Sequence, residues 1–377
     1  MVSAHSLSPT TLAQLWWHRA RTLPRGPDPL LQRFGALELL PRRCRELEET
    51  SETRIAVPEG LAAISGVRRP TPLTEAPKLA RAFGARRLFL KREDLGPTGS
   101  QKALPAFAGA YFAKQDGASS VVTYSLAGNW AYAAAAAAHR VGLPCTVFVA
   151  ESALVAREQL IRHCRQLGAE VVGIPCDGSQ DFASTLLKAA VAEARRRTGA
   201  RLMLGCHGNH PAIFQSLIGR EVRDAVEGLS DRLDALVCSA AGGATAVGLF
   251  APFLEDETHP AFLIGQARGF EAGSLRHCRD AVASFSGLNT RCRSAALRSL
   301  LQRGVAQGLV VSAAEAQAAA AQLEDLEGIS CAEETGYAIA AARNWLATQP
   351  VGRRGVAILL SGASSARNLD VGLLQPR

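Results

Sequence analysis

Short apolar runs alternate with helix-periodic stretches along most of this chain. The runs at 88–90, 118–124, 145–149, 170–174, 235–238, 262–264 and 356–360 are brief, near-continuously apolar and bounded by polar or glycine turns. Each predicts a strand covered on both faces. Between them lie stretches that predict helices at 77–83, 130–142, 156–167, 182–198, 214–226, 247–254, 313–327 and 335–346, the first stopped by Gly84. Strand, turn and helix repeated in this way imply an α/β protein whose parallel sheets carry helices on both sides. Residues 1 to about 67 are less regular. A short amphipathic helix is expected over 12–21, broken by Pro24-Arg25-Gly26-Pro27, with further helix-capable stretches at 41–52 and 58–64, together read as an arm packed on the body. The 377 residues suffice for two domains. We expect 1–68 with 101–213 to form the N-terminal one, arm included, and 69–100 with 214–377 the C-terminal, cofactor-bearing one.

Composition narrows the function classes. Hydrophobic residues make up 47% and charged residues 20%, the balance of a globular enzyme. The net charge of +8 comes from arginines scattered along helical stretches, with few aromatics among them. That argues against a nucleic-acid surface and for a mild pull on small anionic substrates. No apolar run is long enough for a bilayer, since the alanine run 131–138 is short and interrupted by Tyr132, and no signal pattern opens the chain. Nine cysteines without a C-x-x-C pair suggest free thiols in a reducing cytoplasm, with neither a disulfide framework nor a zinc site. His207 and His210 lack a companion cluster of cysteines or carboxylates, so they are expected as buried or supporting groups and no metal is expected. Glu93-Asp94, beside Lys91-Arg92, reads as a salt-linked turn.

One lysine stands out. Lys102 follows the turn Gly96-Pro97-Thr98-Gly99-Ser100 and sits at the foot of the apolar stretch 103–111. Its amine either snorkels to the surface or has a chemical task there, such as a covalent bond to an aldehyde cofactor, and this stretch alone leaves both open. Three further turns lie where open α/β sheets bind ligands, beyond the carboxyl ends of strands. Residues 241–245 (Ala-Gly-Gly-Ala-Thr) suit a phosphate, 125–129 (Ser-Leu-Ala-Gly-Asn) could receive a carboxylate and a ring hydroxyl, and Ser361-Gly362 offers a hydroxyl at the end of the last strand.

Taken in order, these features resemble the fold type II pyridoxal-phosphate enzymes, the tryptophan synthase β-chain family broadly and its variant subfamily in particular. The resemblance runs from Arg69 to the C-terminus. It rests on Arg69-Pro70-Thr71-Pro72-Leu73, Gly99-Ser100-Gln101-Lys102, the Ala-Tyr-Phe-Ala-Lys of 110–114, Ala127-Gly128-Asn129-Trp130, Asn209-His210, Gly242-Gly243 leading into Pro252-Phe253-Leu254, and Leu360-Ser361-Gly362. It implies two parallel-sheet, three-layer α/β domains, pyridoxal 5'-phosphate as cofactor and a homodimer. It further implies that Lys102 forms the imine with the cofactor, that Gly242, Gly243, Ala244 and Thr245 hold its phosphate, and that Asn129 sits near its 3-oxygen or the substrate carboxylate. Ser125, Ala127 and Gly128 would donate to that carboxylate, Ser361 would face the ring nitrogen, and Glu334 matches a family glutamate on the ring side. A hydroxyl at the nitrogen leaves the ring largely unprotonated, which favours elimination and replacement at the β-carbon. The implied activity is that of a lyase or synthase on a small amino acid (serine, phosphoserine or threonine-like), through an aminoacrylate-type intermediate.

The chain also departs from the pattern. The glutamate that opens the family's carboxylate turn is replaced by Tyr124, and the histidine before the lysine by Gln101. A phenol, with an unperturbed pKa near 10, is a poor base at neutral pH, so Tyr124 enters as a replacement acid/base to be tested against its surroundings. After Ile264 nothing matches the long region that closes over the indole site and contacts the α-chain. Residues 284–311 read more like threonine synthase and the threonine dehydratases. These changes weigh against indole condensation and against an α-chain-type partner. They leave two alternatives: threonine-synthase-like β,γ-replacement on phosphohomoserine, and a degenerate protein that binds cofactor or a partner without turnover.

Overall fold

Strands that are near-continuous apolar runs need cover on both faces, and the computed structural model shows two sheets arranged to supply it. It describes residues 15–17, 26–61, 69–126, 128–175, 182–229, 231–268 and 293–363. Near the N-terminus, β1 (Leu15–Trp17) precedes helix α1 (Arg42–Glu49) and pairs antiparallel with β2 (Arg54–Ala56). The helix expected over 12–21 is thus corrected, because its centre is a strand. Pairing with a segment remote in sequence satisfies the backbone there and overrides a weak local preference. The rest of the expected arm, at 1–14, 18–25 and 62–68, lies outside the described residues.

From residue 73 the chain visits one sheet, builds the other, and returns. β3 (Leu73–Glu75) and β4 (Arg87–Arg92) lead into helix α2 (Ala103–Gln115). Then β5 (Ser120–Ser125), helix α3 (Asn129–Val141), β6 (Cys145–Ala150), β7 (Glu170–Ile174) and β8 (Ala200–Leu202) follow, the strands forming an all-parallel sheet in the order β7-β6-β5-β8. Helix α4 (His210–Gly228) crosses over to β9 (Ala235–Ser239), helix α5 (Ala244–Phe250), β10 (Ala261–Ala267) and β11 (Ala306–Val311). Helix α6 (Glu333–Leu346) and β12 (Gly355–Leu360) complete a second sheet ordered β11-β10-β9-β12-β4-β3. All its neighbours are parallel except the edge pair β3 and β4, and β12 lies beside β4 with Ala357 opposite Phe89.

Side chains alternate across a strand, so a continuous apolar run feeds two layers at once. In the second sheet Leu88, Leu90, Val237, Leu263 and Val356 join one hydrophobic cluster, with α6 and the helix Ala313–Glu327. Their strand neighbours Phe89, Leu236, Ile264 and Ala357 join another on the opposite face, with α4 and α5. In the first sheet every residue of β5 and β6 is buried. Helix α3 is buried on all sides over 130–138, where alanines let it lie close against its neighbours.

Two expected helices change shape. The stretch 156–167 divides into Glu151–Ala156 and Glu158–Gln166 around Arg157, whose backbone is not helical. The helix expected over 247–254 runs instead as α5 followed by the 3₁₀ turn Ala251–Phe253, which contains Pro252. Of 284–311, residues 284–292 lie outside the described residues, and the remainder holds the helix Ala295–Gln302 and β11.

A buried ionic cluster joins the entry segment, β4 and α4. Arg69 donates to Glu93 at 2.8 and 3.1 Å and to Glu221 at 2.6 and 2.9 Å. Lys91 is 1% exposed, reaches Glu221 and gives a further hydrogen bond to the Thr71 carbonyl at 2.7 Å, while the Thr71 hydroxyl donates to Glu93. Burial pushes the Lys91 ammonium pKa down against the pull of Glu221 and Glu93. Burial likewise raises Glu93, but the charges of Arg69 and Lys91 and their hydrogen bonds outweigh it and hold the carboxyl below its ordinary range. Two cations and two carboxylates therefore satisfy one another, fixing α4 against the strand that leads to Lys102. The neighbouring Asp94 pairs with Arg92.

Candidate active site

The turns at the carboxyl ends of β4, β5, β8, β9 and β12 meet between the two sheets. The lysine turn is clamped to the end of the last strand: Gln101 N–H donates to the Ser361 carbonyl at 3.1 Å, Ala363 N–H donates to the Gly99 carbonyl at 2.9 Å, and Ser100 forms an isolated bridge with Gly362. That clamp brings Lys102, at the start of α2, and Ser361 to one cavity. Lys102 is half-buried, and its amine has no hydrogen-bond or ion-pair partner among the described residues. The Ser361 hydroxyl lies 3.3 Å from that of Thr335, the third residue of α6.

The other turns close the same cavity. After β5, the Ser125 hydroxyl accepts the Gly128 N–H at 3.1 Å and keeps its own proton to donate, while Asn129 begins α3. Gly128 needs its positive φ of 88°, and a Cβ there would sit 2.7 Å from the Leu160 side chain. After β9, the backbone passes so close to the 206 loop that a Cβ on Gly242 would lie 2.5 Å from the Cys206 carbonyl oxygen, and Gly243 takes φ of 110°. The N–H groups at the start of α5 have no acceptor within the helix. The Thr245 hydroxyl donates to Gln215 at 2.8 Å, so this residue offers the turn its backbone rather than its side-chain proton.

The cavity takes in about 930 Å³ of space when the open solvent at its mouth is included. Lys102, Tyr124, Ser125, Asn129, Gly242, Gly243, Ala244, Thr245, Ser361 and Glu334 all line it. Gly128 is not among the lining residues, and Ala127 lies outside the described residues.

Sequence reasoning missed part of the lining. The loop 203–209 after β8 brings Cys206 and His207 into the cavity. This loop packs closely on α3: a Cβ on Gly205 would meet the Trp130 ring at 2.2 Å. The Tyr124 hydroxyl and His207 Nδ1 are 3.0 Å apart, both residues buried. Burial raises the Cys206 thiol, but the charge of His207, its hydrogen bond and the charge of Lys102 outweigh that and bring it to about 7. His210 faces away and pairs with Glu48 of α1, which also accepts the N–H groups of Asn209 and His210 at 2.7 and 2.9 Å. The two histidines thus serve different partners. The available signal was the position of Cys206-His207 just past a strand end, where ligand-facing residues gather.

The model of the family described as "Pyridoxal-phosphate dependent enzyme" matches residues 64–362. The chain belongs to this family. Its fold is that of the fold type II members, as solved structures show. A pyridoxal 5'-phosphate-dependent aspartate racemase superposes with a TM-score of 0.65 at 21% identity, over 78% of this chain and 90% of that one. A fungal L-serine ammonia-lyase from Rhizomucor miehei superposes with a TM-score of 0.61 at 20% identity, over 80% and 96%. Among curated proteins, the tryptophan synthase beta chains of Acinetobacter calcoaceticus and Acinetobacter baylyi are 34% identical over 220 residues, covering 55% of this chain and 53% of theirs. That of Mycobacterium bovis is 34% identical over 232 residues, covering 58% and 53%. The chain spans about half the length of these curated relatives.

The family enzyme uses pyridoxal phosphate, and the residues present fit that group. The cavity contains a lysine amine without a partner, a glycine turn with unbonded N–H groups, and a Ser100 hydroxyl that is buried with no hydrogen-bond partner among the described residues.

Proposed function

We propose that this enzyme is a lyase or synthase that carries out β-elimination or β-replacement on a small amino acid such as serine, phosphoserine or threonine. The observation that supports it most is the clamp of the lysine turn onto the end of β12, which sets the Lys102 amine and the Ser361 hydroxyl on one cavity. Lys102 would hold the cofactor through its amine, the N–H groups of Gly242 to Thr245 would bind its phosphate, and Ser361 would meet its ring nitrogen with a hydroxyl backed by Thr335. When bound, pyridoxal phosphate withdraws electrons from the amino acid's α-carbon, which loosens the α-proton and a leaving group on the β-carbon. Ser125 and Asn129 would orient the substrate carboxylate, and the freed Lys102 amine would take the α-proton. Tyr124 would act at the same site through its hydroxyl, which His207 engages.

A homodimer and a cytoplasmic setting complete the reading. The second is supported by the thiols of Cys44, Cys145, Cys164, Cys206, Cys238 and Cys331, all free. No helix among the described residues is long and apolar enough to cross a membrane.

The test is an absorbance scan of the cofactor-loaded protein with L-serine, O-phosphoserine, L-threonine and O-phosphohomoserine. A new absorbance band with serine or phosphoserine, followed by release of ammonia or phosphate, is expected. A response to phosphohomoserine alone would replace this reading with the threonine-synthase-like one, and silence toward all four would favour a binding protein without turnover.

A further inference from the structure

We infer that Cys206 is the residue that protonates the departing β-substituent, with His207 and Tyr124 as the positioning residues that hold it to this task. The inference rests on the elimination reading above and assigns the acid role for which the chain carries no glutamate at position 124.

Geometry carries it. Cys206 lines the cavity that contains Lys102, and its backbone lies against Gly242 at the glycine turn. Its neighbour His207 is anchored by the Tyr124 hydroxyl at 3.0 Å, which ties the residue beside the thiol to the end of the first sheet, and the His207 side chain in turn acts on the thiol by charge and hydrogen bond. Cys206 is also the half-exposed member among the described free cysteines, since Cys44, Cys145, Cys164, Cys238 and Cys331 are buried. Burial drives Cys145, Cys164 and Cys331 up to about 12, whereas Cys206 falls to about 7. An independent mark of a polar ligand stands beside it: the Ser100 hydroxyl, 5% exposed and without a partner among the described residues, lines the same cavity. The charged and titratable groups that line the cavity with the thiol are Lys102 just before α2, Tyr124 on β5, His207 on its own loop and Glu334 on α6, of which His207 and Lys102 act on the thiol; Glu48 and His210 pair with each other at the end of the same loop.

The step balances. As the bond from Cβ to oxygen breaks, its electron pair goes to the oxygen, which takes the thiol proton and leaves as water from serine. The α-proton passes to Lys102. Solvent water then returns a proton to the thiolate while Lys102 releases its own.

Two measurements on the full chain test this. In the first, the rate at which iodoacetamide alkylates Cys206 is followed against pH, with the modified residue located by mass spectrometry. In the cofactor-free chain half-maximal reactivity is expected near pH 7, and His207→Gln is expected to move it up by about one pH unit or more, because a charge partner that favours the thiolate is gone. An unmoved midpoint overturns the cluster. In the second, Cys206→Ala in the holoenzyme is expected to lower kcat/KM for L-serine by about 100-fold more than for β-chloroalanine, whose chloride departs without a proton. Cys206→Ser serves in its place if the alanine variant does not fold. An equal loss on both substrates overturns the acid role while leaving the elimination reading intact. A wild type inert toward both overturns that reading and this role together.

Discussion

Two lysines on neighbouring segments show how the same side chain serves opposite ends. Lys91, inside the ionic cluster, is 1% exposed and meets Glu221, Glu93 and the Thr71 carbonyl. Lys102, past the clamped turn, is half-buried and faces a cavity with no hydrogen-bond or ion-pair partner among the described residues. A buried ammonium with matched carboxylates is structural, because its desolvation is offset on the spot and its geometry is fixed. An amine held at the wall of a cavity without such partners stays available to a ligand. The two lysines thus differ in both partnership and burial.

Replacing Lys102 should produce the largest effect of all. Lys102→Ala is expected to abolish the visible absorbance band of the cofactor-loaded protein and to lower turnover by about 10³-fold or more, with its melting curve close to wild type. Retention of the band would erase the distinction. Glu221→Gln attacks the other side. It removes the carboxylate that faces both Arg69 and Lys91 and should cost about 3–5 kcal/mol of stability by leaving buried charge uncompensated, read by urea denaturation. The absorbance band per folded molecule should persist; its loss would mean that the cluster belongs to the site.

Acid gives the smallest and most graded effect. The carboxyls of Glu93 and Glu48 sit below their ordinary range, the first through Arg69 and Lys91 and the second through its hydrogen bond to His210, in both cases against burial. A carboxyl whose folded pKa is depressed stabilises the fold above its unfolded value of about 4.3 and loses that contribution as pH falls through the folded value. The melting temperature should therefore be level from pH 7 to about 5 and fall below about 4. In Glu93→Gln part of that fall should vanish, and an unchanged acid limb would show that the cluster is not what acid breaks.

Much of the site was readable in the chain because its pieces are local. A glycine turn after an apolar run, a Ser-Gly ending the last strand and a lysine behind Gly-Pro-Thr-Gly-Ser are each ambiguous alone, and it is their order along the chain that made them legible together. Cys206 and His207 were harder to read, since their meaning depends on Tyr124, on β5, and Gly242, in the turn after β9. Glu93 was read as salt-linked within its turn, and Lys91 does approach it at 3.8 Å, but the groups that hydrogen-bond to it are Arg69 and Thr71 of the entry segment. The strand Leu15–Trp17 was missed for the same reason, as its partner lies at Arg54–Ala56.

The order of apolar runs, turns and helices by itself determined that this protein is built on parallel α/β sheets, because strands apolar on both parities need cover on both faces. It also singled out Lys102 as a candidate, through the glycine-rich turn before it and the apolar stretch after it, while the resemblance to the fold type II pyridoxal-phosphate enzymes, and not that stretch, supplied its expected task. The tertiary structure alone decided what surrounds that lysine. The backbone bonds that clamp Gly99 and Gln101 to 361–363, and the loop that carries a thiol and an imidazole into the same cavity, join segments far apart in the chain. Such contacts depend on how whole sheets pack, and no local pattern encodes them.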